Sequence, residues 1–285
     1  MIILSGSHTP LGECLLPLLR NTHQVCAFDD ERGDIRDHSF VESLFNEVKP
    51  DVFINCAQMD NIEECEYKRE DAYTLNGKVP QFLAEMCAEK KALFVQGSSH
   101  YVFSGKGEAP YREDDTTAPS TVFGDSKDYA EKKIFSSGCE YLVVRFPHLY
   151  GRNGGFLPPY LEKMKTGSTI SCINGQTMSS VSAADAAKTI LELLRSGARG
   201  VVHCANEGVT PFPDFLYEVE KCYSRVSGRG LVVNVKGYDP DEYIFPCDLP
   251  VNNTLDISKL RTMGIPLRPW REALDEFISS NHQYL

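Results

Sequence analysis

Five short apolar runs, each followed by a stretch of helix length, constrain this chain more than any other feature: Ile2 to Ser5, Val25 to Phe28, Val52 to Asn55, Leu93 to Gln96 and Tyr141 to Arg145. Runs that are apolar almost throughout, rather than alternating, suit strands buried on both faces. The helices between them require a parallel sheet with right-handed crossovers. The expected fold class is therefore α/β: a doubly wound Rossmann-type parallel sheet with a smaller C-terminal lobe. In such a sheet ligands bind beyond the carboxyl ends of the strands, so the residues just after each run are where chemistry is sought.

After Tyr150 the rhythm loosens. "GRNGGFLPPY" is a Gly/Pro-rich break and "GSTISCINGQTMSS" is rich in turn residues. A helix is expected from about Ala183 to Arg195, then a strand in "GVVHCAN", then short helices near Phe215 to Tyr223 and Trp270 to Ser279. The expected organisation is a dinucleotide-binding unit over 1–150, to which 180–206 returns, with 151–179 and 207–285 forming a smaller substrate-binding lobe.

Composition narrows the partners. With 29 Lys plus Arg against 40 Asp plus Glu, the net charge of -11 leaves no broad positive field for a nucleic acid. The ten cysteines are scattered without a C-x-x-C pair, several inside apolar runs, as expected of free thiols in a reduced, cytoplasmic protein. No apolar stretch approaches the roughly 18 residues of a membrane span. The N-terminus lacks the basic region of a secretory signal, and the seven histidines show no metal-binding spacing, so neither membrane nor metal is expected.

The first strand runs into Gly6-Ser7-His8-Thr9-Pro10-Leu11-Gly12 and then a helix. Glycines here allow a tight turn and let a pyrophosphate approach backbone N–H groups at the positive end of that helix. The spacing is G-x-x-G-x-x-G with Thr9 in place of the middle glycine, and a plain βα turn reads the same way. Two further features point to a dinucleotide. The second strand ends at Phe28-Asp29-Asp30, where a carboxylate accepts hydrogen bonds from ribose hydroxyls. The third ends at Asn55-Cys56-Ala57, small enough for a cofactor to lie against the sheet edge. An acidic residue at the second strand favours NAD(H) over NADP(H), although Arg32 stands close by to answer a 2'-phosphate.

Asp34-Ile35, Asn55-Cys56-Ala57, Asn76, "GSSHYVFSG", "PYREDDTTAPSTVFGDSK", "VVRFPHLYGRNGG", "INGQ", "HCANEGVTPFPDF" and "NNTLDISKL" follow one another in the order and spacing of a known family. The chain resembles the extended short-chain dehydrogenase/reductases, and within them the dTDP-4-dehydrorhamnose reductases and the related regulatory β subunits of methionine adenosyltransferase. The resemblance spans essentially the whole chain. It implies NAD(P)H held by Gly6, His8, Thr9, Pro10, Leu11, Gly12, Asp29, Asp34, Ile35, Cys56, Ala57, Asn76, Lys127 and Phe146. It implies a nucleotide-linked sugar met by Ser98, His148, Asn174 and Gln176.

One departure matters for catalysis. The family's Tyr-x-x-x-Lys pair falls on Phe123 and Lys127, so the phenol that protonates the substrate oxygen is missing. A positioned acid is worth about 10²- to 10⁴-fold in rate. Lys127 shares the helix face of Phe123, whereas Tyr129 is rotated away. The substitutes expected are Ser99, on the family's hydroxyl position, and His100, on its acidic one. A second departure is Leu249-Pro250 where the reductases carry Arg-Pro; Arg152 and Lys163 are the cations left to compensate. "YREDD" reads as a solvated loop. Three functions stay open: a sugar-nucleotide reductase with a rearranged proton donor; an NAD(P)-binding pseudoenzyme that regulates a partner or pairs with itself; and an epimerase- or lyase-type reaction that does not consume the nicotinamide.

Overall fold

In the computed structural model, which describes residues 1–29, 32–108, 110–242, 244–265 and 267–285, the expected strands all form. β1 (Ile2–Ser5) leads into α1 (Pro10–Arg20), and β2 (Val25–Phe28), α2 (His38–Val48) and β3 (Val52–Asn55) follow. Then come α3 (Ile62–Tyr67), α4 (Arg69–Tyr73) and α5 (Val79–Lys90), the last two joined by a wider π-helical turn at Thr74–Lys78. β4 (Leu93–Ser99), α6 (Val122–Ser136) and β5 (Tyr141–Phe146) complete the first half.

The second half carries β6 (His148–Gly151), β7 (Gly154–Gly155), α7 (Pro158–Thr166), β8 (Ile170–Ile173), β9 (Thr177–Met178) and β10 (Ser180–Ser182). α8 (Ala183–Arg195) and β11 (Gly200–His203) return to the main sheet. β12 (Thr210–Pro211), α9 (Phe212–Ser227), β13 (Val235–Tyr238), β14 (Asn252–Asn253), α10 (Ser258–Thr262) and α11 (Trp270–Asn281) end the chain.

The main sheet runs β11-β5-β4-β3-β1-β2 with every pair parallel. Its order reverses at β1, which lies between β2 and β3, and that reversal opens a crevice at the carboxyl edge. Both faces are covered. Leu11, Leu15, Leu19, Ala187, Ile190 and their neighbours pack on one face, and Val41, Phe45, Leu83, Cys87 and Ile134 on the other. Smaller sheets, β10-β6-β7, β12-β9-β14 and β13-β8, combine with α7, α9 and α11 around Tyr150, Phe215 and Trp270.

Local chemistry fixes the helix starts that matter. Thr9 caps α1, its Oγ1 accepting from the Gly12 N–H at 3.1 Å, with Pro10 in the first turn. Thr121 caps α6 by accepting from the Gly124 N–H at 2.9 Å. Along α6, Phe123, Lys127, Ala130, Glu131 and Ile134 are all buried, a spacing that places them on one face. Among the described residues no helix is long and apolar enough to cross a membrane.

Candidate active site

The loop after β1 forces glycine at two positions. Gly6 has φ +67°, and a Cβ there would lie 2.5 Å from the Ala57 nitrogen. A Cβ on Gly12 would stand 2.1 Å from the Gly6 carbonyl oxygen. The turn is thereby pressed against Cys56-Ala57 at the end of β3. The backbone N–H groups of His8 and Leu11 make no hydrogen bond to another described residue. Two free donors at the positive end of an eleven-residue helix fit a pyrophosphate, so the chain's own geometry suits a dinucleotide.

At the end of β2, Asp29 lies beside Ser7, whose hydroxyl is 3.5 Å from Asp29 Oδ2. Arg32 donates from Nη1 to the Ala27 carbonyl at 3.0 Å, so a cation and a carboxylate share this strand end. Asp30 lies outside the described residues. Asp34 pairs with Arg36, whose guanidinium holds the carboxyl below its usual range, while Ile35 is buried in the core beneath. A cleft of about 360 Å³ opens here, lined by Arg36, Gln58, Met59, Asp60 and Leu75 among others. A larger cleft, about 580 Å³, lies between α1 and α11, and none of Ser99, His100, Phe123 or Lys127 lines it.

Polar side chains staple the sheet edge. Ser5 Oγ donates to Asn55 Oδ1 at 2.7 Å, and Asn55 Nδ2 donates to Gln96 Oε1 at 2.9 Å, tying β1, β3 and β4 together. Asn76, on the π-helical turn, exchanges two hydrogen bonds of 2.9 Å with the Met59 backbone. It thus holds the loop after β3, and wider turns of this kind recur at functional sites. Cys56 is buried, and desolvation pushes its thiol up to about 12.

Lys127 is 1% exposed, and its ammonium donates to Gln58 Oε1 at 2.7 Å and to the Gly97 carbonyl at 3.2 Å. Desolvation lowers its pKa to about 8, with Asp60 and Glu131 opposing. Phe123 is 5% exposed; its ring centroid lies 5.8 Å from the Lys127 nitrogen and meets Tyr101 edge-on at 5.7 Å. Leu249 packs against the same apolar cluster, which also includes Cys65, Ala72 and Val122. Phe123 and Leu249, the two positions read from the sequence as departures from the resembling reductases, therefore share one apolar wall.

β4 continues to Ser99, further than its apolar run, and its two serines do different things. Ser98 turns inward and donates to Glu131 Oε1 at 2.6 Å, within a buried Glu131–Arg145 ion pair of 2.7 Å. That contact makes Ser98 part of the sheet's support. Ser99 Oγ accepts from the Tyr101 N–H at 3.3 Å and lies 3.5 Å from His100 Nδ1. His100 Nε2 stands 2.9 Å from Asn253 Oδ1. The His148 ring stacks obliquely on His100 with centroids 4.6 Å apart, and its Nδ1 faces the Ser179 carbonyl at 3.3 Å. Burial lowers the His100 pKa to about 4 and that of His148 well below its usual value.

The structure thus gathers Ser99, His100, His148, Phe123 and Phe146 near the carboxyl ends of β4 and β5, with Lys127 reaching the same edge. Asn174 is exposed and donates to Asp239 Oδ1 at 2.9 Å. Gln176 is half-buried, and its carbonyl accepts from the Phe212 N–H. Tyr129 donates to Gln81 Oε1 and faces α5 rather than the site. The "YREDD" loop is more than solvated surface. The Glu113 carboxylate accepts the His203 N–H at 3.0 Å, and its carbonyl accepts from Arg145. Gln58, Glu131 and Asn253 were not singled out from sequence; each acts through a partner at least 14 positions away, and no spacing marks it.

Comparison with known proteins agrees with this geometry. The family described as "RmlD substrate binding domain" matches residues 1–283. The chain is similar to the spore coat polysaccharide biosynthesis protein SpsK of Bacillus subtilis, with 28% identity over 97% of this chain and 96% of that protein. It is 31% identical to a dTDP-4-dehydrorhamnose reductase of Streptomyces griseus over 96% of this chain and 91% of that one. The crystal structure of dTDP-4-dehydrorhamnose reductase from Bacillus anthracis in complex with NADP superposes with a TM-score of 0.88, 26% identity and 98% coverage of each chain.

Proposed function

The chain belongs to the RmlD substrate binding domain family, and from that premise we propose that it is an NAD(P)H-dependent reductase of a 4-keto sugar carried on a nucleotide. The observation that carries this reading is the loop after β1, where Gly6 and Gly12 admit no side chain and two N–H donors at the start of α1 have no hydrogen-bond partner among the described residues. A reduced nicotinamide, when bound, supplies a hydride. The His8 and Leu11 amides bind the pyrophosphate, Asp29 takes the adenosine ribose, and Lys127 holds the nicotinamide ribose in place of its present partner Gln58. Asp29 favours NAD(H), with Arg32 the residue that would answer a 2'-phosphate. Ser99 meets the substrate carbonyl oxygen, and Gln176 and Asn174 approach the nucleotide sugar from the smaller lobe.

Titration of the purified protein with NADH and NADPH, followed by fluorescence and thermal shift, tests this directly. Micromolar binding of at least one cofactor is expected. A ligand at 100 times its Kd stabilises the native state by about 2.7 kcal/mol. No binding of either would reject the reductase reading.

Phe123 cannot give a proton. Introducing the phenol by Phe123→Tyr is expected to raise kcat on a 4-keto-6-deoxy nucleotide sugar by about 10²-fold, the lower end of the range for a positioned acid. An unchanged kcat would mean that a phenol at this position does not reach the substrate oxygen. A second reading, a cofactor-binding protein that regulates a partner or pairs with itself without turnover, is favoured by one observation. Leu249 packs against the apolar cluster that holds Phe123, so the two positions read from the sequence as departures from the reductase pattern lie at one apolar wall. Turnover of any sugar in a nucleotide-sugar panel decides against it.

A further inference from the structure

Around Ser99 the side chains form a chain of three. Asn253 Nδ2 donates to the Pro250 carbonyl at 2.8 Å, so its Oδ1 is the atom turned to His100. Accepting at 2.9 Å, that oxygen requires the proton on Nε2, which leaves Nδ1 of the neutral ring as an acceptor facing Ser99 Oγ. The Tyr101 N–H donates to the same Ser99 oxygen, leaving its own proton free to point at Nδ1. From these contacts we infer that Ser99, His100 and Asn253 form a proton relay that replaces the missing phenol, with Ser99 the catalytic residue and His100 and Asn253 positioning residues behind it.

The inference rests on the reductase reading and specifies how that site moves its proton. In reduction, hydride adds to the carbonyl carbon and the C=O π pair moves to oxygen. That oxygen takes the Ser99 proton, and Ser99 takes one from Nδ1 of an imidazolium, leaving the neutral ring with its Nε2–H still on Asn253. Solvent returns the proton between turnovers. In oxidation the same atoms run in reverse: the alcohol proton passes to Ser99 as the Ser99 proton passes to Nδ1.

The environment sets which direction the resting protein is ready for. The titratable groups facing His100 are His148 from β6 and Tyr101 from its own turn; Ser99, Asn253 and the Phe146 carbonyl are uncharged. Asn253 and Phe146 favour the imidazolium, but burial outweighs them and holds the ring neutral at pH 7. The resting relay is therefore a proton acceptor, and reduction waits on protonation of His100.

Two variants and one spectroscopic measurement test the relay in the full-length protein. Nitrogen NMR of the imidazole reads the tautomer and titration of His100 without any substrate. The expected result is Nε2–H in the wild type and, in Asn253→Asp, a pKa raised by one unit or more, because a carboxylate beside the ring favours its charged form. Each unit is tenfold in the protonated fraction at pH 7. With NAD(P)H and a 4-keto-6-deoxy nucleotide sugar, Asn253→Asp is then expected to speed reduction at pH 7 by about tenfold. His100→Gln is expected to lower kcat by about 10²-fold with cofactor affinity unchanged.

An Nδ1–H tautomer, or a titration that Asn253→Asp leaves in place, overturns the relay. An unchanged kcat in His100→Gln overturns it as well. Failure of the wild type to bind either cofactor or to turn over any substrate counts against the reductase reading instead, and with it against a catalytic role for the relay, while the NMR tautomer still tests the Ser99–His100–Asn253 hydrogen-bond arrangement by itself.

Discussion

Replacing Glu131 with alanine is expected to cost the fold about 3–5 kcal/mol, seen as a drop in the urea midpoint at pH 7 with an unchanged slope. Glu131 and Arg145 are 1% and 3% exposed, and the guanidinium reaches both carboxylate oxygens, with Nη2 at 2.7 Å and Nε at 3.0 and 3.3 Å. Ser98 adds a fourth bond to the carboxylate. Without Glu131 the guanidinium keeps, among the described residues, the Glu113 carbonyl at 3.2 Å, the neutral His203 ring at 3.4 Å and the Phe103 ring face at 5.0 Å, so a buried charge is left without its counter-ion.

An exposed pair on the same protein makes the contrast. Arg195–Glu192 has a comparable distance, but solvent screens it and deleting it is worth about 0–1 kcal/mol. A double replacement, Glu131→Leu with Arg145→Met, is expected to recover much of the loss, because it removes both charges rather than orphaning one. A loss below about 1 kcal/mol in Glu131→Ala would show that water reaches Arg145 and that the pair is not a keystone of the sheet edge.

The same pair shows what the sequence could and could not say. The strands of the main sheet are legible because burial on both faces leaves an apolar run, whereas the caps that start α1 and α6, Thr9 and Thr121, emerge only in the structure. Phe123, Lys127 and Glu131 share a face by helical spacing alone, yet nothing in the spacing says that Glu131 meets Arg145. That contact joins α6 to β5 and depends on how the helix docks. β4 looked finished at Gln96 because the residues beyond it are small and polar; it continues to Ser99 because Ser98 and Ser99 still pair with Arg145 and Phe146. His100 and Asn253 are 153 positions apart and meet only because β14 runs beside β9, bringing the second half of the chain over the carboxyl edge. Placements that rest on local spacing were readable, and contacts that rest on docking were not.

Docking also buries three histidines, and that burial is expected to make the protein acid-sensitive. Desolvation lowers His100 from 6.5 to about 4 and His203 to about 3, the latter helped by Arg145, and it holds His148 well below the usual range, helped by His100. The sign follows from linkage. Below pH 6.5 the unfolded chain binds protons at these sites and the folded one does not, so stability is full above that pH and is lost as pH falls towards the folded values. Each such histidine contributes a slope of about 1.4 kcal/mol per pH unit. With two fully engaged, the fold loses roughly 5 kcal/mol between pH 6 and 4, the lower end of a typical domain's entire stability.

Urea midpoints measured at half-unit steps from pH 7.5 to 4.5 are therefore expected to be flat at first and then to fall steeply below 6.5. His203→Gln identifies one contributor. Gln can still accept from Arg145 and donate to the Asp256 carbonyl, as the ring does at 3.4 and 3.3 Å, but it takes no proton. The slope below pH 6 should shrink by about 1.4 kcal/mol per unit in that variant while stability at pH 7.5 changes little. A wild-type profile that stays flat down to pH 4.5 would mean that water reaches these rings as they ionise.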